Sequence, residues 1–582
     1  MDMILSNRWR KVFCAIATAC RRGCDTARGV WLSPVAWRCG LLAAFLLLAS
    51  SFAQAQTYYW QSSDPSADWS NPANWGGTLP NSSTFAYIVN GGTANITAMG
   101  PACDTLTLGG TAGSGTIKMT GGGLTAWAET IGGSGPGAMA QSGGTNAFSS
   151  LYVGAGGNGA YTLTGAGVLI ADLPSAGLGE CIGCSGTGTF TQSGGTNNVA
   201  GEYESLRLGR FAGDNGTYVL SGGSLAAFNL EVGFMGSGTF TQSGGTATYP
   251  YLFVGADGGS GIYDLSGIGQ LSATSEYISD GMSLGLFNQT GGTNTAGYLS
   301  VASPSRYLLN GGVLLTSGLS SGGGAATFSF GGGTLQVGAA FSTTSAMTLT
   351  GSGGNATVNT AGYAVTLSGQ LSGPGGLNMI GSGVLTLTAS NSYLGNTTIS
   401  NGTLTIANSV GSATGSGAVT VNAGATLAGT GFISGPVSVF GTLSPGDGPG
   451  ILTVKNQVAF QPGSTLNVSV LGLLAGSGYS QLTSSGPVSL SGSLNLSFGT
   501  FTPTGSDVLV LINNTGATPD SGTFQYANNS EIGTYDGFNW YIRYDAHDVA
   551  IYSAAVPEPA TLGLLGVGTF GLIGWTRRRK AS

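Results

Sequence analysis

Apolar side chains alternate with polar ones over runs of a few residues, and each run ends in Gly-Gly or Ser-Gly. In GTFTQSGGT (188–196), Phe190 stands between Thr189 and Thr191. A period of two is the mark of a strand with one buried face. Phe190, Tyr218, Phe240 and Tyr263 are therefore expected inside, and Thr189 and Thr191 outside. The glycines supply the φ > 0 corners at which one strand turns into the next.

The strands recur as text. GTFTQSGGT returns at 238–246, with looser copies GAMAQSGGT from Gly137 and GLFNQTGGT from Gly285, at offsets of 51, 50 and 47 residues. A related unit lies between them: GAYTLTGAGVL from Gly159, GTYVLSGGSL from Gly216 and GIYDLSGIGQL from Gly261. A short L-x-V-G motif punctuates the units at 151–154, 230–233 and 252–255, and Arg207 fills the variable place in the similar 206–209. Successive units start 22 to 29 residues apart, the period of a β-solenoid coil. One unit cannot bury its apolar face alone, whereas like residues stacked on neighbouring coils can. A β-sandwich would alternate too, but it has no reason to repeat near-identical text at this interval. The expected fold is all-β, a parallel β-helix or β-solenoid rod. Trp60, Trp69 and Trp75 would plug its first coil, and 538–542 and 548–552 would close its far end.

Both termini read as addresses. Seven basic residues precede the apolar run Gly40–Phe52, and Ala53-Gln54-Ala55 follows as a small-x-small cleavage site. A secretory signal peptide with a long basic region is expected, removed by signal peptidase before Gln56. The other end reads Val556-Pro557-Glu558-Pro559, then 16 apolar or small residues from Ala560 to Trp575, then Arg577, Arg578, Arg579 and Lys580. A helix of that length spans ~24 Å, short for a hydrocarbon core of ~30 Å, so a short C-terminal transmembrane helix is expected. The basic cluster would hold the cytoplasmic side and leave everything upstream outside.

On these residues the tail resembles the PEP-CTERM sorting signal of Gram-negative bacteria. The resemblance implies cleavage near Pro557-Glu558-Pro559 by an exosortase-type membrane protease. Residues 371–406 resemble the autotransporter-associated β-strand repeat through the Gly-Pro-Gly-Gly-Leu opening, the Gly-Val-Leu-Thr-Leu strand, the Asn391-Ser392-Tyr393 turn and the closing Asn401-Gly402-Thr403-Leu404. That resemblance implies a parallel β-helix passenger. No room follows Ala555 for a translocating barrel of ~250–300 residues, so the sorting tail is the expected route outward. The organisation expected is 1–55 signal peptide, 56–130 capping coils, 131–324 glycine-rich repeats, 325–475 autotransporter-type repeats, 476–555 final coils and cap, and 556–582 sorting signal.

Composition narrows the chemistry. Glycine fills 106 of 582 positions and charged residues only 7%, against ~7% and ~25% in ordinary domains. Between Thr57 and Ala555 stand six basic and 21 acidic residues, a net of −15, which excludes nucleic acid as a partner. The single histidine, His547, reads as a strand residue at the end of the rod. No phosphate-loop, zinc-protease or EF-hand motif occurs, and neither a metal site nor a cofactor is expected. Cys181 and Cys184 form a CxxC without a second pair, so they close a loop disulfide or stay as thiols, and Cys103 is the odd one.

Glu202, Glu204, Arg207, Arg210 and Asp214 are the densest charge cluster of the body. They raise a rival reading, a polysaccharide-acting β-helix enzyme. Thr189/Thr191 and Thr239/Thr241 raise another, an ice- or sugar-binding adhesin, although Val219 and Asp264 interrupt the threonine row. The leading expectation is a secreted, non-enzymatic β-solenoid, structural or adhesive, whose exposed Ser, Thr and Asn meet extracellular polysaccharide.

Overall fold

The computed structural model describes residues 55–171, 179–199, 204–322 and 326–556. The chain divides into two units, Met1–Gln56 and Thr57–Ser582. The described part of the second is built almost wholly of strands, with one 3-10 turn at Pro72–Trp75.

Apart from the three strands that follow residue 530, each strand pairs in parallel with its counterpart one coil on, and the pairs form three ladders. The first runs from Thr57–Tyr59 through Phe85–Ile88, Ala102–Leu108 and Gly123–Ile131 to the L-x-V-G strands. There Leu206, Leu230 and Leu252 lie in register. The second carries the aromatic strands, with Tyr161, Phe190, Tyr218, Phe240, Tyr263, Phe287, Tyr307 and Phe328 on successive rungs. The third follows the glycine corner, where Val168–Ala171 pairs with Thr145–Val153 on one side and Thr187–Val199 on the other. Leu284–Val301 bends through both corners and serves all three ladders.

The parallel ladder puts identical faces ~4.8 Å apart, and the rings exploit that spacing. From Tyr161 to Phe328, neighbouring rings stack with centroids 4.6–5.2 Å apart and planes within 13° of parallel. Phe190, Tyr218, Phe240 and Tyr263 are fully buried, while Thr189 is exposed. The inward–outward parity expected from the sequence is therefore the one observed.

Glycine closes the corners because the backbone leaves nothing else room. Gly154 holds φ +78°, and a Cβ built there would lie 2.2 Å from the carbonyl oxygen of Thr187 on the next coil. At Gly188 the same atom would sit 2.2 Å from the Val153 carbonyl oxygen. The corners pack backbone on backbone.

In residues 371–406 a buried asparagine side chain bonds across the coils. Asn391 is buried; its Oδ1 accepts the Leu371 N–H at 2.7 Å and its Nδ2 donates to the Ala413 carbonyl at 2.6 Å. One side chain thereby ties three coils together. Tyr393, also buried, shares a 2.6 Å hydrogen bond with Thr397.

Both ends of the ladders are covered. Trp60, Trp69 and Trp75 are buried against one another, with ring centroids 5.0 and 4.6 Å apart, and the Trp75 indole donates to the Trp69 carbonyl. At the far end the last parallel strand of its sheet, Val508–Asn514, pairs antiparallel with Asp548–Ala555. That strand in turn pairs with Phe538–Tyr544. A change from parallel to antiparallel covers an edge that another coil could otherwise extend. His547 lies in the turn joining Phe538–Tyr544 to Asp548–Ala555, not within a strand as the sequence suggested, because the hairpin reverses at 545–547.

Candidate interaction face and buried polar ladder

Two arrays of functional groups emerge, one inside the coils and one outside. The inner one explains why the repeat alternates between two kinds of unit. On the second ladder, the position two residues after each ring reads Gln141, Leu163, Gln192, Leu220, Gln242, Leu265, Gln289, Leu309 in register. Every glutamine coil carries Met or Phe at the ring position, and every leucine coil carries Tyr. Each tyrosine hydroxyl donates to the glutamine on the coil before it: Tyr161 to Gln141 at 2.5 Å, Tyr218 to Gln192 and Tyr263 to Gln242 at 2.6 Å, and Tyr307 to Gln289 at 2.8 Å. The glutamine amides donate onward to backbone carbonyls, as Gln192 does to Ser224 at 2.9 Å. The tyrosine–glutamine pairs and these onward bonds thus satisfy buried polar groups from one coil to the next.

Three of these modules hold two further polar residues. Asn146 donates to Glu129 at 2.9 Å, Asn197 to Glu180 at 3.0 Å and Asn294 to Glu276 at 3.0 Å, and each asparagine also reaches the tyrosine oxygen. All three glutamates are fully buried. Burial pushes the Glu129 and Glu276 carboxyls up to about 7 and Glu180 up to about 8, against the opposing pull of the asparagine bonds. No motif scan would find these residues. The signal was the swap of Gln for Leu between alternate units, with Glu and Asn following the same two-coil beat.

The outer array lies on the first ladder. Arg207, Glu231, Phe253 and Tyr277 occupy one outward row in register, and Tyr251, Ser275 and Tyr298 the row beside it. Phe253 stacks on Tyr277 with centroids 5.2 Å apart, and Phe228 meets Tyr251 edge-on. Tyr251 and Tyr298 are 40% and 41% exposed, and the Tyr298 hydroxyl donates to Ser320 at 2.7 Å. Beside Tyr298 lies a depression of about 290 Å³ lined by Ser320, Ser342, Thr343, Thr344 and Ser368. Aromatic faces flanked by hydroxyls form an amphipathic surface.

Of the charge cluster singled out from the sequence, Arg207, Arg210 and Asp214 each make a separate contact. Glu202 lies outside the described residues. Arg207 pairs with Glu231 at 2.5 Å and stands 4.7 Å over the Phe234 ring. Arg210 covers Phe211, and the Asp214 carboxylate accepts the Ser185 and Phe211 backbone N–H groups, bracing a turn. Cys181 and Cys184 are joined as a disulfide, and Cys103 is free and buried. Among the described residues no cluster of His, Cys, Asp and Glu could hold a metal. The threonine row of an ice-binding face is broken in register, since Thr191, Val219, Thr241, Asp264 and Asn288 share one outward line. Ala53, Pro557, Glu558, Pro559, Arg577, Arg578, Arg579 and Lys580 lie outside the described residues. Ala55 and Val556 stand at the borders of the described part. No described helix is long and apolar enough to cross a membrane, and the Ala560–Trp575 stretch is not among those described.

The fold and these arrays define a parallel β-solenoid with a buried apolar interior and a decorated exterior. The PEP-CTERM protein-sorting motif matches residues 555–580, and the passenger-associated-transport-repeat matches residues 377–406. Both fall where the sequence reading placed them. The chain is 45% identical over 83 residues to the adhesin BmaC autotransporter of Brucella suis biovar 1 (strain 1330), covering 14% of this chain and 2% of that protein. It is 36% identical over 104 residues to an extracellular serine protease of Serratia marcescens, covering 18% and 10% respectively. The Haemophilus influenzae Hap adhesin structure aligns over 81% of this chain and 64% of its own, with 12% identity and a TM-score of 0.24. The chain thus spans a tenth or less of the curated relatives it matches. It carries a sorting motif that implies processing by an exosortase, a membrane protein, and points to export.

Proposed function

We propose that this chain is a secreted, non-enzymatic β-solenoid that acts as a structural and adhesive element of the cell surface or extracellular polysaccharide matrix. It would be released by signal peptidase at Ala53-Gln54-Ala55, then sorted and cleaved at Val556–Pro559, with Arg577–Lys580 holding the cytoplasmic side. The division of the body near residues 131, 325 and 476 belongs to the same reading.

The observation that carries it is the outward strip of Tyr251, Phe253, Tyr277 and Tyr298 beside the hydroxyl-lined depression. Aromatic rings with neighbouring hydroxyls suit the apolar faces and polar rims of neutral sugar rings. The body's net negative charge disfavours acidic polymers. The similarity to the BmaC adhesin supports the same reading.

The test compares the wild-type protein with a Tyr251→Ala/Tyr298→Ala variant for retention on immobilised neutral and acidic polysaccharides. Each polymer is also assayed for chain cleavage. Binding to a neutral polymer that falls at least tenfold in the variant, without cleavage, supports the proposal. Cleavage of any polymer overturns the non-enzymatic reading, and binding that ignores the variant overturns the strip.

A further inference from the structure

We infer that Glu129, Glu180 and Glu276 are three built proton sites, each held as a neutral carboxylic acid against its asparagine amide, and that they make the glycine-rich coils more stable in acid. The inference concerns the interior of the coils and does not depend on what the exterior binds.

The direction of every hydrogen bond in the module leads to that proton. Gln192 Nε2 donates to a backbone carbonyl, so its Oε1 faces the ring of the next coil. Tyr218 spends its one hydroxyl proton on that oxygen, so toward Asn197 it can only accept. Both Asn197 Nδ2 protons are therefore committed, to Tyr218 Oη at 3.2 Å and to Glu180 Oε2 at 3.0 Å. Two acceptors remain, Asn197 Oδ1 and Glu180 Oε1, both buried and unpaired. The same two atoms are left over at Asn146/Glu129 and at Asn294/Glu276. One proton on each carboxyl would turn one of these acceptors into a donor for the other, and neither has another hydrogen-bond partner.

The fourth module behaves as a matched deletion. Tyr263 still donates to Gln242, but the glutamate position is Leu230 and the asparagine position is Ala247. Acid and amide are absent together, and Tyr249 is buried on the strand that carries Ala247. A glutamate that served as a surface charge would have no reason to be lost with an internal asparagine.

Among the described residues, no cation stands in these surroundings to hold a carboxylate instead. Glu129 faces Asn146, Tyr161, Cys103 and, two rungs away, Glu180, with Asp104 beyond Cys103. Glu180 faces Asn197, Tyr161, Tyr218 and Tyr249, and Glu204 lies against the adjoining Gly179. Glu276 faces Asn294, Tyr263 and Tyr307. Arg207 lies on the outward row, occupied by Glu231. No Lys, Arg or His belongs to the buried set of the described residues.

Each carboxyl binds its proton more tightly folded than unfolded. The stabilisation is therefore complete below the unfolded value of 4.5 and is lost as pH rises through about 7 at Glu129 and Glu276 and about 8 at Glu180. Between those limits the folded-to-unfolded ratio drops about tenfold per pH unit for each glutamate whose coil unfolds.

The test is chemical unfolding of the full-length chain from about pH 5 to about pH 9, beside Glu129→Gln/Glu180→Gln/Glu276→Gln. Glutamine mimics the protonated acid, because its amide can donate to the asparagine oxygen and its carbonyl can accept. The wild type should unfold at progressively lower denaturant as pH rises, and the triple variant should lose most of that slope. A flat or rising wild-type profile, or an unchanged slope in a folded variant, overturns the inference. Should the variant not fold, infrared spectra of Asp520→Asn decide, a background that removes another carboxyl raised by burial. A carboxylic-acid C=O band present near pH 6 and gone by about pH 9 supports it, and no such band at about pH 6 overturns it.

Discussion

The hydroxyl of Tyr218 donates to Oε1 of Gln192, 2.6 Å away on the preceding coil and 26 residues earlier in the chain. This pair sets the two-coil beat of the repeat. A ring position followed by Gln must be met by a Tyr-Leu coil, or a buried acceptor is left without a donor.

Tyr218→Phe should therefore cost more than the loss of one oxygen atom suggests. It strands Gln192 Oε1 and removes an acceptor from Asn197, and a buried group left unsatisfied costs roughly 1–3 kcal/mol. Tyr218→Phe combined with Gln192→Leu should recover part of that loss, giving a coupling of about 0.5 kcal/mol or more. Denaturant titration of the two single variants and the double variant measures it, with amide hydrogen exchange locating the weakened coils.

Glycine corners should divide into two classes. Gly188→Ala drives a Cβ into the Val153 carbonyl oxygen at 2.2 Å, a backbone collision that needs the coils to part, so exchange protection should collapse around 153 and 188. Gly91, at φ +84° with nothing within 4 Å of a built Cβ, should tolerate alanine at about 1–2 kcal/mol, the strain of the left-handed conformation alone. Similar effects at both sites would refute the distinction.

Phe240→Leu removes a ring that stacks on Tyr218 and Tyr263 at 4.9 and 4.7 Å. It keeps the site apolar but breaks the stack on both sides, for an expected loss of about 1–3 kcal/mol. The near-ultraviolet circular dichroism of the stacked tyrosines should fall with it.

Asn391→Ala should weaken residues 371–413 as a unit. It leaves the Leu371 N–H and the Ala413 carbonyl unpaired in the interior, at roughly 2–4 kcal/mol for two buried groups. Asn391→Asp retains the acceptor toward Leu371 but loses the donor toward Ala413, so it should not rescue stability. Exchange protection at Leu371 should persist in the aspartate variant and vanish in the alanine one.

Much of this architecture was legible in the chain because its determinants are local and repeated. The period of two placed Phe190 and Tyr218 inward, and the verbatim recurrence of GTFTQSGGT implied stacking. The tryptophans at 60, 69 and 75 announced a plug, and the tail announced its sorting motif. The parity that buries Phe190 buries Gln192 as well. Yet a glutamine in an alternating strand reads as a surface residue until something is shown to pair with it.

Register supplied that pairing. Tyr218 meets Gln192 only when coils of unequal length, 22 to 29 residues apart, are aligned rung on rung, and Asn197 meets Glu180, 17 residues earlier on the same coil, only when that coil closes across its interior. Tertiary structure also turned Arg207, Arg210 and Asp214 from a candidate catalytic cluster into three separate contacts, and it brought Tyr251 and Tyr298 from different coils onto one outer face. The sequence by itself determined that coils stack, since apolar strands too short to bury themselves must find copies of themselves. Which polar groups meet inside the stack was decided by the fold alone, because a hydrogen bond depends on ångström-scale registry that no count along the chain contains.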